Sequence, residues 1–366
     1  MYCEDNIKNR KEPKVALVVL NYNGRDFIKG CIDSLLAQDY HNFYIFIIDN
    51  CSKDKSVDFI KEQYRCSLCP KIIIIENSKN FGIGKGFNDT IKKLTKEFDY
   101  IGLFNSDIRV DKNWIKECVA TFDKFNAAHV CASFILDWGG KTVDSAGGTI
   151  INFFAGVFGG FLGGIPIEKV PQEYKNQESR VFFGILTAMM VRSSAFEKFG
   201  FFDEDYFMYF EDIDFSWRVL NGGGKIYCNP KAIVYHYGHG SKTSKNLSLK
   251  LLKQTETNLL ATYFKNLSYP SFFLVFIPLV LIRFIFSLFY LPISAKVTLS
   301  KISGIYLFFN KLLTGQYKEK RNNVSHIRKL NDWQVLMINP NFLFSFKTLF
   351  LLGKPWYKLI FRNINK

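Results

Sequence analysis

The sequence lacks the marks of export. Its first dozen residues, MYCEDNIKNRKE, are polar and charged, without the apolar stretch that a cleaved leader requires. The eight cysteines do not form a disulfide framework. Cys66 and Cys69 make the only CxxC, with no second pair or histidine cluster to complete a zinc site, so all eight read as reduced thiols that mostly pack. There is no convincing internal repeat. No glycine loop has the G-x-G-x-x-G or Walker spacing, which argues against dinucleotide-binding and P-loop chemistry. Acidic residues are scarce at one end. From Lys296 to Lys366, thirteen Lys and Arg face only Glu319 and Asp332, a local charge of +11 in a chain of +15.

Basic patches attract nucleic acid or anionic lipid. This one is interleaved with Phe, Leu, Ile and Trp, which favours an anionic membrane surface. Nucleic acid would call for basic residues and exposed aromatics on one folded face, so it is not an expected partner. Just upstream, SFFLVFIPLVLIRFIFSLFYL (271–291) carries Arg283 as its only charge. As a helix it would measure about 30 Å, enough to cross a bilayer core. Arg283 in its middle and the basic tail behind it favour a re-entrant or in-plane anchor, with the tail on the cytoplasmic face of the membrane.

What is present is an alternation of strands and helices between residues 15 and 125. VALVVLN (15–21), YIFIID (44–49), KIIIIE (71–76) and YIGLFN (100–105) read as buried strands. Helical spacing fills Asp26 to Gln38, about Lys55 to Tyr64, and roughly 83 to 97. Such alternation predicts βαβ units and a parallel sheet of the α/β class. Ligands gather at the carboxyl ends of such strands, where Asn21-Tyr22-Asn23, Asp49-Asn50, Asn77 and Asn105-Ser106-Asp107 all fall. The glycine-rich stretch 139–164 reads equally as a mobile loop or a turn-rich β region. Another helix is predicted from Asn246 to Asn266.

Asp107 is a hard oxygen ligand suited to Mg²⁺ or Mn²⁺ on a diphosphate, and Asn105 lies two residues away on the same side of an extended backbone. Asp49 can accept the N3–H of a pyrimidine base or cap the turn at Ser52-Lys53-Asp54; its local sequence leaves both open. NFGIGKGFN (80–88) places Gly82, Gly84 and Gly86 before a helix. YFMYFEDIDFSWRV (206–219) clusters Glu211, Asp212 and Asp214 at a predicted helix start, where an acid in apolar surroundings gains a raised pKa suited to a general base. Glu211 and Asp212 point about 100° apart on a helix, so only one is expected to face a substrate. Arg218 lies four residues after Asp214 and can pair with it. His236 ends another apolar strand, where a neutral imidazole could join Asp107 at a metal.

Taken together, VVLNYNG (18–24), IIDNCSKD (47–54), NFGIGKGFN (80–88), LFNSD (103–107), FFDEDYFMYFEDIDFSWR (201–218) and VYHYGHGS (234–241) resemble family 2 glycosyltransferases. The resemblance is to the rhamnosyltransferase-like, non-processive subgroup, over roughly residues 14 to 265. It implies a GT-A fold, a mixed and mainly parallel sheet flanked by helices. It also implies a nucleotide-diphospho-sugar donor, Mn²⁺ or Mg²⁺, and inversion at the anomeric carbon. Donor-binding positions by resemblance are Asn21, Asn23, Asp49, Asn80, Gly82, Asn88, Asn105, Ser106 and Arg218. Asp107 and His236 would serve the metal, and Asp212, with Glu211 beside it, would be the base.

The expected organisation is a polar tail (1–13), a transferase domain (14–265) and a hydrophobic, basic membrane-associating region (266–366). The transferase domain would comprise a nucleotide half (14–125) and an acceptor half (126–265). The acceptor would be a lipid-linked or growing cell-surface glycan; the alternative is a non-catalytic scaffold subunit of a polysaccharide assembly complex. Three departures from the subgroup stand out: Asn-Ser-Asp replaces Asp-x-Asp, Tyr237 follows His236 with His239 beyond it, and the processive Gln-x-x-Arg-Trp motif is absent.

Overall fold

The computed structural model describes residues 12–64, 71–238 and 245–338. Cys66, Cys69, His239, most of the polar N-terminal tail and the basic tail from 339 lie outside the described residues. Strands β1 (Val15–Asn21), β2 (Phe43–Asp49), β3 (Ile72–Glu76) and β4 (Tyr100–Asn105) are joined by helices α1 (Ile28–Leu36), α2 (Ser56–Gln63) and α3 (Ile83–Leu94). The four strands pair in parallel in the order β3-β2-β1-β4. Helices cover both faces of such a sheet, so its inner strands need no polar side; β1 is buried along its whole length. The register sets Asn21 beside Asp49 and Asp49 beside Glu76, so the strand tips share one edge.

The second half completes the sheet less regularly. It comprises β5 (Ile108–Val110), α4 (Trp114–Lys124), β6 (Ala128–Asp137), β7 (Val143–Ala146), β8 (Gly148–Asn152), β9 (Val157–Gly160), α5 (Gln172–Asn176), β10 (Ser179–Arg180), β11 (Ala188–Arg192), α6 (Ser193–Phe199), α7 (Glu211–Asn221), β12 (Lys225–His236) and α8 (Lys245–Asn266). Strand β11 lies antiparallel between β4 and β6, and β12 runs parallel to β6. The result is a mixed, mostly parallel ten-stranded sheet in an α/β fold. The glycine-rich stretch holds β7, β8 and β9, which decides for the turn-rich β reading.

Helical segments at Tyr269–Leu288, Ala295–Leu313, Lys318–Ile327 and Asp332–Leu336 follow. Val18 and Leu103 of the sheet share one core with Leu259, Tyr263, Phe276, Phe308 and Tyr317. The expected boundary at 265/266 therefore falls inside continuous packing, not at a linker. Segment Tyr269–Leu288 is long and apolar enough to cross a membrane by length and composition. Its Arg283, however, turns inward. The guanidinium Nε donates to Glu256 at 2.9 Å, and Lys301 pairs with the same buried carboxylate.

Burial would raise the Glu256 pKa, but the charges of Arg283 and Lys301 hold it down at about 2. Because that lies below the ordinary 4.5, its stabilising contribution is present above pH 4.5 and lost as pH falls through about 2. Glu256→Gln leaves two cations without their partner. It is expected to cost about 3–5 kcal/mol, read from urea denaturation at pH 7.

Candidate active site

At the tip of β1, the fully buried Asn21 amide donates to Asp49 Oδ1 at 2.8 Å and to the hydroxyls of Ser52 (3.2 Å) and Ser56 (2.9 Å). Asp49 Oδ2 accepts the Ser52 N–H at 2.8 Å. The turn-capping reading of Asp49 is thus realised, while a carboxylate with about four lone-pair sites keeps room for a further donor. Asn23 is exposed and left-handed (φ 53°), and its side chain accepts the Lys53 N–H at 2.8 Å. A Cβ on Gly24 would lie 2.6 Å from Ser106 Oγ, so the loop after β1 rests directly on the Asn-Ser-Asp turn.

The tip of β2 is knit to the glycine loop by Asn50, which the sequence reading did not place among the site residues. Its Nδ2 donates to Asn80 Oδ1 (2.9 Å) and the Gly82 carbonyl (3.0 Å), and its Oδ1 accepts from Asn77 and the Phe81 N–H, both at 3.1 Å. Gly82 is left-handed (φ 77°), and a Cβ there would lie 2.2 Å from the Phe207 carbonyl. The next N–H, of Ile83, donates to that carbonyl at 2.7 Å. Packing against the turn before α7 therefore accounts for this glycine.

The Asn-Ser-Asp turn is held at Asn105, half-buried, whose N–H donates to the Thr187 carbonyl at 3.2 Å. Pairing of β5 with β12 sets His236 across from Ile108, which brings its Nε2 to 3.5 Å from Asp107 Oδ2. On its other side, Nδ1 is 2.7 Å from Asp144 Oδ2. Burial alone would lower the His236 pKa, but hydrogen bonds and charge from Asp107 and Asp144 raise it to about 9. Protonated, the imidazole donates to a phosphate oxygen; neutral, it can ligate a metal.

Among the described residues, no three His, Cys, Asp or Glu side chains are arranged to cage a metal ion. Mg²⁺ needs no such cage, since one or two carboxylates plus substrate phosphates and water suffice. The hard oxygens of Asp107, with Asn105 near, fit that requirement.

At the acid pair, Tyr209 and Phe210 are both left-handed (φ 69° and 74°), an uncommon state for bulky residues. Helix α7 begins immediately after them. Glu211 is buried, and its Oε2 has no hydrogen-bond partner among the described residues. Asp212 is half-buried and accepts the Leu186 N–H at 3.3 Å and the Ile213 N–H at 2.8 Å. Burial, then the neighbouring Asp212 charge, pushes the Glu211 pKa well up. Burial pushes Asp212 to about 6 against those backbone bonds. Two adjacent carboxyls so placed do not both ionise readily, so Glu211 keeps the proton and Asp212 ionises above about pH 6.

The profile of glycosyl transferase family 2 matches residues 16–200, just over half of the chain. The chain belongs to that family. It is 23% identical over 242 residues to the N-acetylglucosaminyl-diphospho-decaprenol L-rhamnosyltransferase of Mycobacterium tuberculosis, spanning 62% of this chain and 77% of that protein. Its fold is similar to that of S. aureus TarS 1–349 in complex with UDP-GlcNAc, with TM-score 0.54 and 18% identity over 86% of this chain and 90% of the other. It is also similar to GalNAc-T7 solved with UDP, GalNAc and Mn²⁺, with TM-score 0.56 and 16% identity over 70% and 48% of the two chains. The protein is a family 2 glycosyltransferase with a GT-A-like fold.

In this family 2 transferase, two expected donor contacts face elsewhere. Asn88 is buried and exchanges bonds with the Phe202 backbone, 2.9 Å to its carbonyl and 3.2 Å from its N–H. Arg218 pairs with Asp214 at 3.1 Å, as its spacing suggested, but its remaining donors go to the carbonyls of Phe199, Gly200 and Phe201. Both residues brace the chain between α6 and α7. Asn21 likewise spends its amide on orienting Asp49. Asn23, Asp49, Asn80, Asn105, Ser106, Asp107 and His236 remain along the strand-tip edge.

Proposed function

We propose that the protein moves one sugar, with inversion, from dTDP-rhamnose or a UDP-sugar to a hydroxyl of a lipid-linked or growing cell-surface glycan. Asp212 accepts the acceptor hydroxyl proton as that oxygen forms its bond to the anomeric carbon. The bond from that carbon to the diphosphate oxygen breaks, and the nucleoside diphosphate leaves. Asp49 and Asn23 hold the nucleoside, and His236 donates to the diphosphate. Asp107 and Asn105 would hold Mn²⁺ or Mg²⁺, which when bound offsets charge on the departing diphosphate.

The observation that carries this reading is one hydrogen-bonded path across the edge. It runs from the β2 tip through Asn50 and Gly82 to Phe207, three residues before Phe210 and the acid pair. The test is product analysis on polyprenyl-diphosphate-linked acceptors with a panel of nucleotide sugars, the anomeric configuration read by NMR. An inverted linkage supports the reading; a retained one contradicts it.

We propose further that the protein works at the cytoplasmic face of the membrane, lying on it. With Arg283 fastened to Glu256, the Tyr269–Leu288 segment stays packed on the catalytic core while Leu274 (76% exposed), Leu281 and Phe289 face outward. Leu313 (87%) and Tyr306 are exposed on the next helix, and exposed Lys296 and Lys318 suit anionic headgroups. Leu274→Glu with Leu281→Glu and Leu313→Glu is expected to abolish sedimentation with anionic vesicles while leaving the melting temperature within a few degrees. Undiminished sedimentation of the triple variant would rule this face out.

A further inference from the structure

Two consecutive bulky residues in the left-handed region do not hold that shape unaided. Helix α8 supplies the restraint. Along one of its faces, at a spacing of four residues, stand Asn258, Thr262 and Asn266, all buried. Asn258 Nδ2 donates to the carbonyls of Met208 (3.1 Å) and Tyr209 (2.9 Å). Thr262 Oγ1 and the Tyr206 hydroxyl are 3.0 Å apart, and Asn266 Nδ2 donates to Asp214 Oδ1 at 2.8 Å. This stripe therefore grips the chain on both sides of the acid pair.

Of the three, Asn258 alone reaches the carbonyls on which the left-handed turn depends. We infer that Asn258 is a positioning residue for transfer, holding the Tyr209-Phe210 turn so that α7 presents Asp212 to the acceptor hydroxyl. The inference rests on Asp212 being the base. Asn258 is buried and bonded to the Met208 and Tyr209 carbonyls, so its effect passes through the backbone turn. In the present entry of α7, the Asp212 carboxylate accepts the Leu186 N–H at 3.3 Å.

The experiment compares Asn258→Ala, Thr262→Val, Asp212→Asn and the double variant Asn258→Ala/Tyr209→Gly. It reads kcat, donor KM and Mn²⁺-dependent UDP or dTDP binding in the full-length protein. Tyr209 is 42% exposed, and glycine adopts φ 69° without strain, so this change restores the turn by a different route. Asn258→Ala is expected to lose about 10–100-fold in kcat, the scale of a small misplacement of a catalytic group, with nucleotide binding unchanged. The double variant is expected to recover most of that loss, and Thr262→Val to keep wild-type kcat despite losing the bond to Tyr206.

Wild-type kcat in Asn258→Ala would overturn the inference. So would a loss that Tyr209→Gly does not recover, or one matched by an equal loss of nucleotide binding. Full activity in Asp212→Asn would remove the base assignment and the inference with it. Loss in Asp212→Asn alone would remove only the inference.

Discussion

Asp212→Asn is expected to bind donor as the parent does and to lose about 10²–10⁴-fold in kcat, the usual contribution of a general base. The substitution keeps the shape and one oxygen that can accept the Leu186 N–H, gives up the bond from the Ile213 N–H, and removes the proton-accepting carboxylate. The same assignment sets a pH profile. Burial raises the Asp212 pKa to about 6, so the carboxylate is the prevailing form above that pH and the acid form below it. Transfer by the parent should therefore fall about tenfold per pH unit on the acid side of 6. In Asp212→Asn that limb should vanish. Normal turnover by the variant would remove Asp212 from the chemistry.

Asp107→Ala carries the second large effect, an expected loss of about 10²–10³-fold in kcat/KM. It removes the strand-tip carboxylate and leaves His236 with Asp144 as its remaining carboxylate partner. Raising Mn²⁺ should not restore turnover, because the missing group is the ligand. A variant rescued by millimolar Mn²⁺ would show that other residues hold the ion.

The first four strands were legible because buried parallel strands read as unbroken apolar runs, and their polar tips stand out against them. Residues 126–200 were not, because β7, β9 and β11 are only four or five residues long, and strands that short leave little periodicity to read. Asp144 was missed for the same reason. It meets His236 from 92 positions away, through pairing of β7 with β6 and β6 with β12. Asn88 and Arg218 lie inside motif segments, but the sequence does not tell which way a helical side chain turns, and both turn into the core. Arg283 read as an obstacle to a clean membrane crossing by the apolar segment. Its partner Glu256 lies 27 residues upstream, on a helix whose polar face the apolar count did not reveal.

The central claim is that the strand-tip edge binds a pyrimidine nucleoside diphosphate through Asp107 and a divalent cation. The most direct measurement is calorimetric titration of the full-length protein with UDP, dTDP, GDP and ADP, with and without Mn²⁺, repeated on Asp107→Ala. The expected result is binding of UDP or dTDP that requires Mn²⁺ and is lost in the variant. Binding of none of the four, or metal-independent binding that survives Asp107→Ala, would contradict it.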